Sequence, residues 1–149
     1  MDETRGRTLR FHMTLPSDPR LLAVVRETVS KFAAVWGFAE EQCRAITHAV
    51  DEALSNVIRH AYKNRSDQEI EMRLQADGDC LEFTIVDCGE PPDDAKLRAQ
   101  PVDATALGGR GTYMIRQIMD EVSYEKAPGA NRLHLKKRLP GALPSPKRP

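Results

Sequence analysis

The chain has 149 residues, about the size of one ordinary domain, and its 40% hydrophobic content suffices for a single core. Its 22 Lys and Arg balance 22 Asp and Glu, so the positive field that gathers nucleic acid or an anionic membrane is missing. No run approaches the roughly 18 apolar residues that cross a bilayer, and Met1 to Arg5 lacks the apolar segment of a secretion signal, so a cytoplasmic protein is expected.

Residues 1–6 read as a flexible N-terminus and residues 7–139 as one domain. Leu9, Phe11, Met13 and Leu15 alternate with polar residues, the period of a strand with one buried face near residues 7–15. Asp18 and Pro19 read as the cap and first residue of a helix whose stripe is Leu22, Val25, Val29, Phe32 and Trp36, with Gly37 as its stop. A second helix, about residues 39–62, carries Cys43, Ile46, Val50, Leu54, Val57 and Ala61 on its inner face, and Lys63 to Ser66 break the pattern. Ile70, Met72 and Leu74, the turn Asp77-Gly78-Asp79, and Leu81, Phe83 and Ile85 describe a hairpin ending at Asp87.

Residues 88–108, with Pro91, Pro92 and Pro101 and little periodicity, are expected to form a long functional loop, a lid. A short helix (Tyr113, Met114, Ile115, Ile118) follows the glycines at 108–111, then strands near 122–126 and 133–139 joined at Pro128-Gly129. Residues 140–149, with four prolines, read as a disordered tail. Hairpins in place of β-α-β crossovers predict an α+β fold: a two-layer sandwich whose mixed, mostly antiparallel sheet carries helices on one face. Cys43, Cys80 and Cys88 form no C-x-x-C pair and read as reduced thiols.

Three short boxes carry the chemistry. At 100° per residue, Glu52 and Asn56 lie together, well away from the apolar stripe of the second helix, with Ala45, Ala49 and Ala53 beside them as the floor of a possible cavity. A carboxylate one turn from an amide can activate a hydroxyl while the amide oxygen serves a hard cation, although such spacing is common on solvated helix faces. The second box, Asp87-Cys88-Gly89, ends an apolar strand with an acid suited to an amino group on a base and a glycine that permits close approach. The third, Gly108-Gly109-Arg110-Gly111-Thr112, opens a helix whose free N–H groups suit phosphate. His60 reads as a structural histidine turned toward the buried side.

In this order the boxes resemble the N, G1 and G2 boxes of the GHKL ATPases, which include gyrase, heat-shock chaperones, histidine kinases and mismatch-repair ATPases. Glu52 to Tyr62 (EALSNVIRHAY), Gly109 to Val122 (GRGTYMIRQIMDEV) and Asn131 to Lys137 (NRLHLKK) are similar, more specifically, to the anti-sigma-factor serine/threonine kinases. That resemblance covers about residues 7–139. It implies the GHKL sandwich and a Mg-ATP-dependent kinase that sequesters a sigma factor and phosphorylates a serine on a STAS-type anti-anti-sigma protein. It also implies a homodimer. By position it makes Glu52 the general base, Asn56 the Mg²⁺ ligand and Asp87 the adenine-contacting acid. Gly89 becomes the glycine that leaves room for the base, and Gly109, Arg110, Gly111 and Thr112 the phosphate loop. The chain departs from the pattern at Pro91, where many members carry a second glycine, and at Ala106-Leu107, where some relatives carry a basic residue. The alternative is an ATP-binding interaction module of the same fold that transfers no phosphate; retention of both Glu52 and Asn56 favours the kinase.

Overall fold

The computed structural model describes residues 8–91, 109–127 and 129–140, so the N-terminus, most of the expected lid and nearly all of the tail lie outside the described residues. Strand β1 (Leu9–Pro16) comes first. Leu15 is buried and Leu9 and Met13 pack against the core, whereas Phe11 remains 45% exposed because β1 is an edge of the described sheet, flanked only by β2. The Asp18 carboxylate accepts the Arg20 N–H at 2.9 Å, which caps a 3-10 turn (Pro19–Leu21) leading into helix α1 (Leu22–Trp36). Gly37, at φ 114°, ends that helix in the left-handed region where only glycine is unstrained. Trp36 then donates its Nε1–H to the Gly78 carbonyl at 3.1 Å, fastening the helix end to a sheet turn.

Helix α2 (Glu40–Asn56) buries Cys43, Ile46, Ala49, Val50, Ala53 and Leu54. Its continuation, Val57–Ala61, is a π turn in which the Tyr62 N–H reaches the Val57 carbonyl at 2.9 Å, five residues back. A wider turn rotates less per residue, so the face presented to the core slips: Ile58 is buried at 3% exposure and His60 points outward. The expectation of an inward His60 assumed an unbroken α-helical period and is corrected here. Lys63 and Asn64, at φ 51° and 63°, then leave the helix through two left-handed residues.

Strands β2 (Glu69–Asp77) and β3 (Cys80–Asp87) form the expected hairpin around Gly78. Helix α3 (Gly109–Ile118) already contains Gly109, Arg110 and Gly111 in its first turn; the glycines do not merely precede it. Strands β4 (Glu121–Ala127) and β5 (Ala130–Arg138) complete a sheet ordered β1-β2-β3-β5-β4. Among the described residues every ladder is antiparallel. This is the expected α+β, two-layer arrangement, with one core formed by β2, β3 and the inner faces of α1, α2 and α3. At about 25 cal/mol per Å², complete burial of side chains such as Leu54, Phe83 and Met72 contributes roughly 1.5–3 kcal/mol each before entropy is counted.

Candidate nucleotide site

Glu52 and Asn56 stand on the outer side of α2, and a single nitrogen joins them. Arg59 Nη2, on the π turn, donates to Glu52 Oε1 at 3.1 Å and to Asn56 Oδ1 at 3.0 Å. Arg59 was not among the expected site residues; its place seven residues beyond Glu52 was the available signal. The Glu52 side chain is 27% exposed and Arg59 50%, so solvent screens the pair and its intrinsic strength is small. The contact shows instead that both oxygens accept hydrogen bonds on one side of the helix and face a cation. Among the described residues Ala49 and Ala53 line no open cavity: they are fully buried in the core cluster, which also includes Ile115 of α3.

Asp87, the last residue of β3, is 5% exposed. Its Oδ1 accepts the Gly89 N–H at 2.9 Å and Asn131 Nδ2 at 3.0 Å. Burial raises the carboxyl above its ordinary range, and the hydrogen bonds from Asn131 and Gly89, which favour the anion, oppose that shift. Tyr124 on β4 is pushed up to about 12 by burial, with the Asp87 charge adding to it.

Gly89 is fixed by close approach. A Cβ placed there would sit 2.5 Å from the Ala61 carbonyl oxygen and 2.8 Å from the Ala61 Cβ. Among the described residues its missing side chain therefore makes room for the end of the α2 segment; the expectation that it makes room for a base is a separate matter. The neighbouring Glu90 N–H donates to the same Ala61 carbonyl at 3.0 Å, and Lys63 Nζ pairs with the Glu90 carboxylate at 2.9 Å. Tyr62, 1% exposed, donates its hydroxyl to the Glu69 carbonyl and accepts the Cys88 N–H at 2.9 Å. Burial raises the Tyr62 hydroxyl first, the Cys88 N–H acts against that, and the charge of Asp87 adds to it.

The end of the Glu52–Asn56 helix and the Asp87–Gly89 turn are thus bonded together, and α2 packs on the helix whose first turn holds Gly109 and Gly111. Among the described residues no hydrogen bond or ion pair joins Glu52 or Asn56 directly to Asp87. Thr112 is half-buried in α3. The sequence reading missed Tyr62 and Asn131 as site residues; a tyrosine and an asparagine beside the boxes look like ordinary core and strand residues until the register places Asn131 opposite Asp87.

An acid at a strand end, an acid–amide pair on a helix and a glycine-rich helix start thus lie on one antiparallel sheet with helices on one side, an α+β arrangement in the order expected for a nucleotide-binding protein. Residues 15–137 match the histidine kinase-like ATPase domain family. The chain is 32% identical to the serine-protein kinase RsbW of Bacillus pumilus over 129 residues, covering 80% of each chain. The chain belongs to the histidine kinase-like ATPase family and, within it, to the serine-protein kinases. Among solved structures, that of the SiaB-SiaC complex from Pseudomonas aeruginosa superposes with a TM-score of 0.62 at 16% identity, over 91% of this chain and 93% of that one. The structure of the RsbU and RsbW domains of a Mycobacterium tuberculosis protein gives a TM-score of 0.61 at 19% identity, over 87% of this chain and 32% of the longer one. At these identities the superpositions concern the fold. A kinase of this family uses ATP. Among the described residues no helix is long and apolar enough to cross a membrane.

Proposed function

We propose that the chain is the kinase of a partner switch: it binds Mg-ATP, sequesters a sigma factor as a homodimer, and phosphorylates a serine on a STAS-type anti-anti-sigma protein. The observation that carries this reading is the juxtaposition of Glu52 and Asn56, whose oxygens share one cationic donor. Among the described residues no group of three or more His, Cys, Asp and Glu could hold a metal. Mg²⁺, however, takes one or two protein oxygens and fills its other positions from water and phosphates, so Asn56 Oδ1, a hard neutral acceptor facing a cation, fits it. When bound, the ion screens the phosphate charges.

Asp87 accepts the amino group of the adenine, and the N–H groups of the first α3 turn, around Gly109, Arg110, Gly111 and Thr112, receive the phosphates. The serine Oγ attacks the γ-phosphorus, the bond to the bridging oxygen of ADP breaks, and Glu52 accepts the hydroxyl proton. The sequence relatives named serine-protein kinase support the transfer step, and the retained acid at position 52 supports it over the binding-only module.

The test is transfer from γ-labelled ATP to candidate STAS-type proteins, with and without a sigma factor, alongside calorimetry with Mg-ATP. Labelled serine on such a protein is expected, with Asn56→Ala weakening Mg-ATP binding. Nucleotide binding without transfer to any STAS-type protein would replace the kinase with the interaction module, and a monomer by light scattering in the presence of nucleotide would remove the homodimer.

A further inference from the structure

Asn131 is one of four buried polar or charged residues among those described, 4% exposed, and lies directly across the β3–β5 ladder from Asp87. A buried amide without partners would be costly, so where its hydrogens go is informative. Nδ2 donates to Asp87 Oδ1 at 3.0 Å and to the Gly89 carbonyl at 3.0 Å, which spends both hydrogens. The Gly89 N–H donates to the same Oδ1 at 2.9 Å. Oδ1 therefore holds two donors, and among the described residues no hydrogen bond reaches Oδ2.

We propose that Asn131 is the positioning residue that sets base selectivity: by occupying Oδ1 it leaves Oδ2 of Asp87 as the acceptor offered to an exocyclic amino group. This rests on Asp87 being the base-contacting acid. An ionised acceptor held in one orientation favours a purine with a 6-amino group and repels one with a 6-oxo group, where two acceptors would meet. The same amide holds the carbonyl of Gly89, so it fixes the turn and the acid as one unit.

Asn131 also governs how long that acceptor stays ionised. Asp87 is held by the amide of Asn131 on β5 and the Gly89 N–H of its own turn, and its charge acts on the hydroxyls of Tyr124 on β4 and Tyr62 at the end of the α2 segment. Burial favours the protonated acid, and Asn131 is the foremost group opposing it. Without the amide the carboxyl protonates at higher pH, and a protonated carboxyl presents a donor to a donor.

The experiment measures ATP and ITP affinity by calorimetry across pH for the full chain and for Asn131→Ala, Asn131→Ser and Asp87→Ala, each checked by its melting curve. Losing a hydrogen bond to a charged group should lower the ATP-over-ITP preference of Asn131→Ala by about tenfold and move the acid limb of ATP binding to higher pH. A uniform loss of stability would move neither. Asn131→Ser, with one donor, should fall between; if the alanine variant does not fold, the serine variant decides, intermediate values supporting the proposal and wild-type values overturning it. An Asn131→Ala protein with wild-type preference and pH limb, beside an Asp87→Ala protein that has lost ATP, would overturn the role of Asn131 alone. Unchanged ATP affinity in Asp87→Ala would remove the base-contacting acid and this proposal with it.

Discussion

Replacing Gly89 with alanine tests the join between helix end and turn most directly. The new methyl carbon would lie 2.5 Å from the Ala61 oxygen, 2.7 Å from its carbonyl carbon and 2.8 Å from its Cβ, and all three belong to a residue held by the π turn. None is the tip of a flexible side chain, so backbone must move. Overpacking of this kind costs about 1–3 kcal/mol, and lengthening the Glu90 N–H bond to Ala61 adds roughly 0.5–1.5 kcal/mol. The sum, about 1.5–4.5 kcal/mol, corresponds to a melting temperature lower by roughly 3–18 °C for a domain of this size. Differential scanning calorimetry of the nucleotide-free protein reads it. A variant melting within about 1 °C of wild type but binding ATP poorly would refute the reasoning, because the glycine would then serve a bound base and not the packing of the turn on Ala61.

Glu52→Gln keeps the shape of the site, so it should bind ATP normally while γ-phosphate transfer to serine falls by about 10²–10⁴-fold in a radiolabel assay; a wild-type rate would take Glu52 out of the chemistry. Tyr62→Phe strands the Glu69 carbonyl and the Cys88 N–H, at about 1–3 kcal/mol, which urea unfolding would register as a lower midpoint. Asp87 carries a raised pKa, so the folded chain holds its proton more tightly than the unfolded chain. Its ionisation therefore opposes folding above the folded pKa, and the opposition fades as pH falls through that value and is gone below the ordinary carboxylate range. Asp87→Asn should accordingly melt higher than wild type at neutral pH, with the gap closing as pH is lowered, whereas a gap that is constant with pH would show that the carboxylate is not strained by burial.

The sheet and the inner faces of the helices were legible because their information is periodic and local: Ile70, Met72 and Leu74 alternate, and Ile46, Val50 and Leu54 recur at helical steps. Periodicity assumes one kind of helix, and it failed at residue 57, where the π turn rotated His60 out and Ile58 in. Glu52, Asn56, Asp87 and Gly89 could be marked from motif order alone. Their immediate surroundings could not, since Arg59 meets Glu52 across two turns of helix and Asn131 meets Asp87 across 44 residues of sequence. Ala49 and Ala53 show the same limit from the other side: small residues look alike whether they floor a cavity or lie in a closed core.

Residues 88–91, directly after β3, lack regular secondary structure, yet their amides are not all free. The Cys88 N–H ends on a buried tyrosine oxygen and the Glu90 N–H on the last carbonyl of the π turn. For either proton to be traded for deuterium, the helix end must first part from the sheet, so these two amides exchange at the rate of that opening and not at the rate of an irregular loop. In a time course of hydrogen exchange, Cys88 and Glu90 should therefore label together with Tyr62, whose own N–H closes the π turn, and a ligand that holds the helix end and the turn together should slow all three at once.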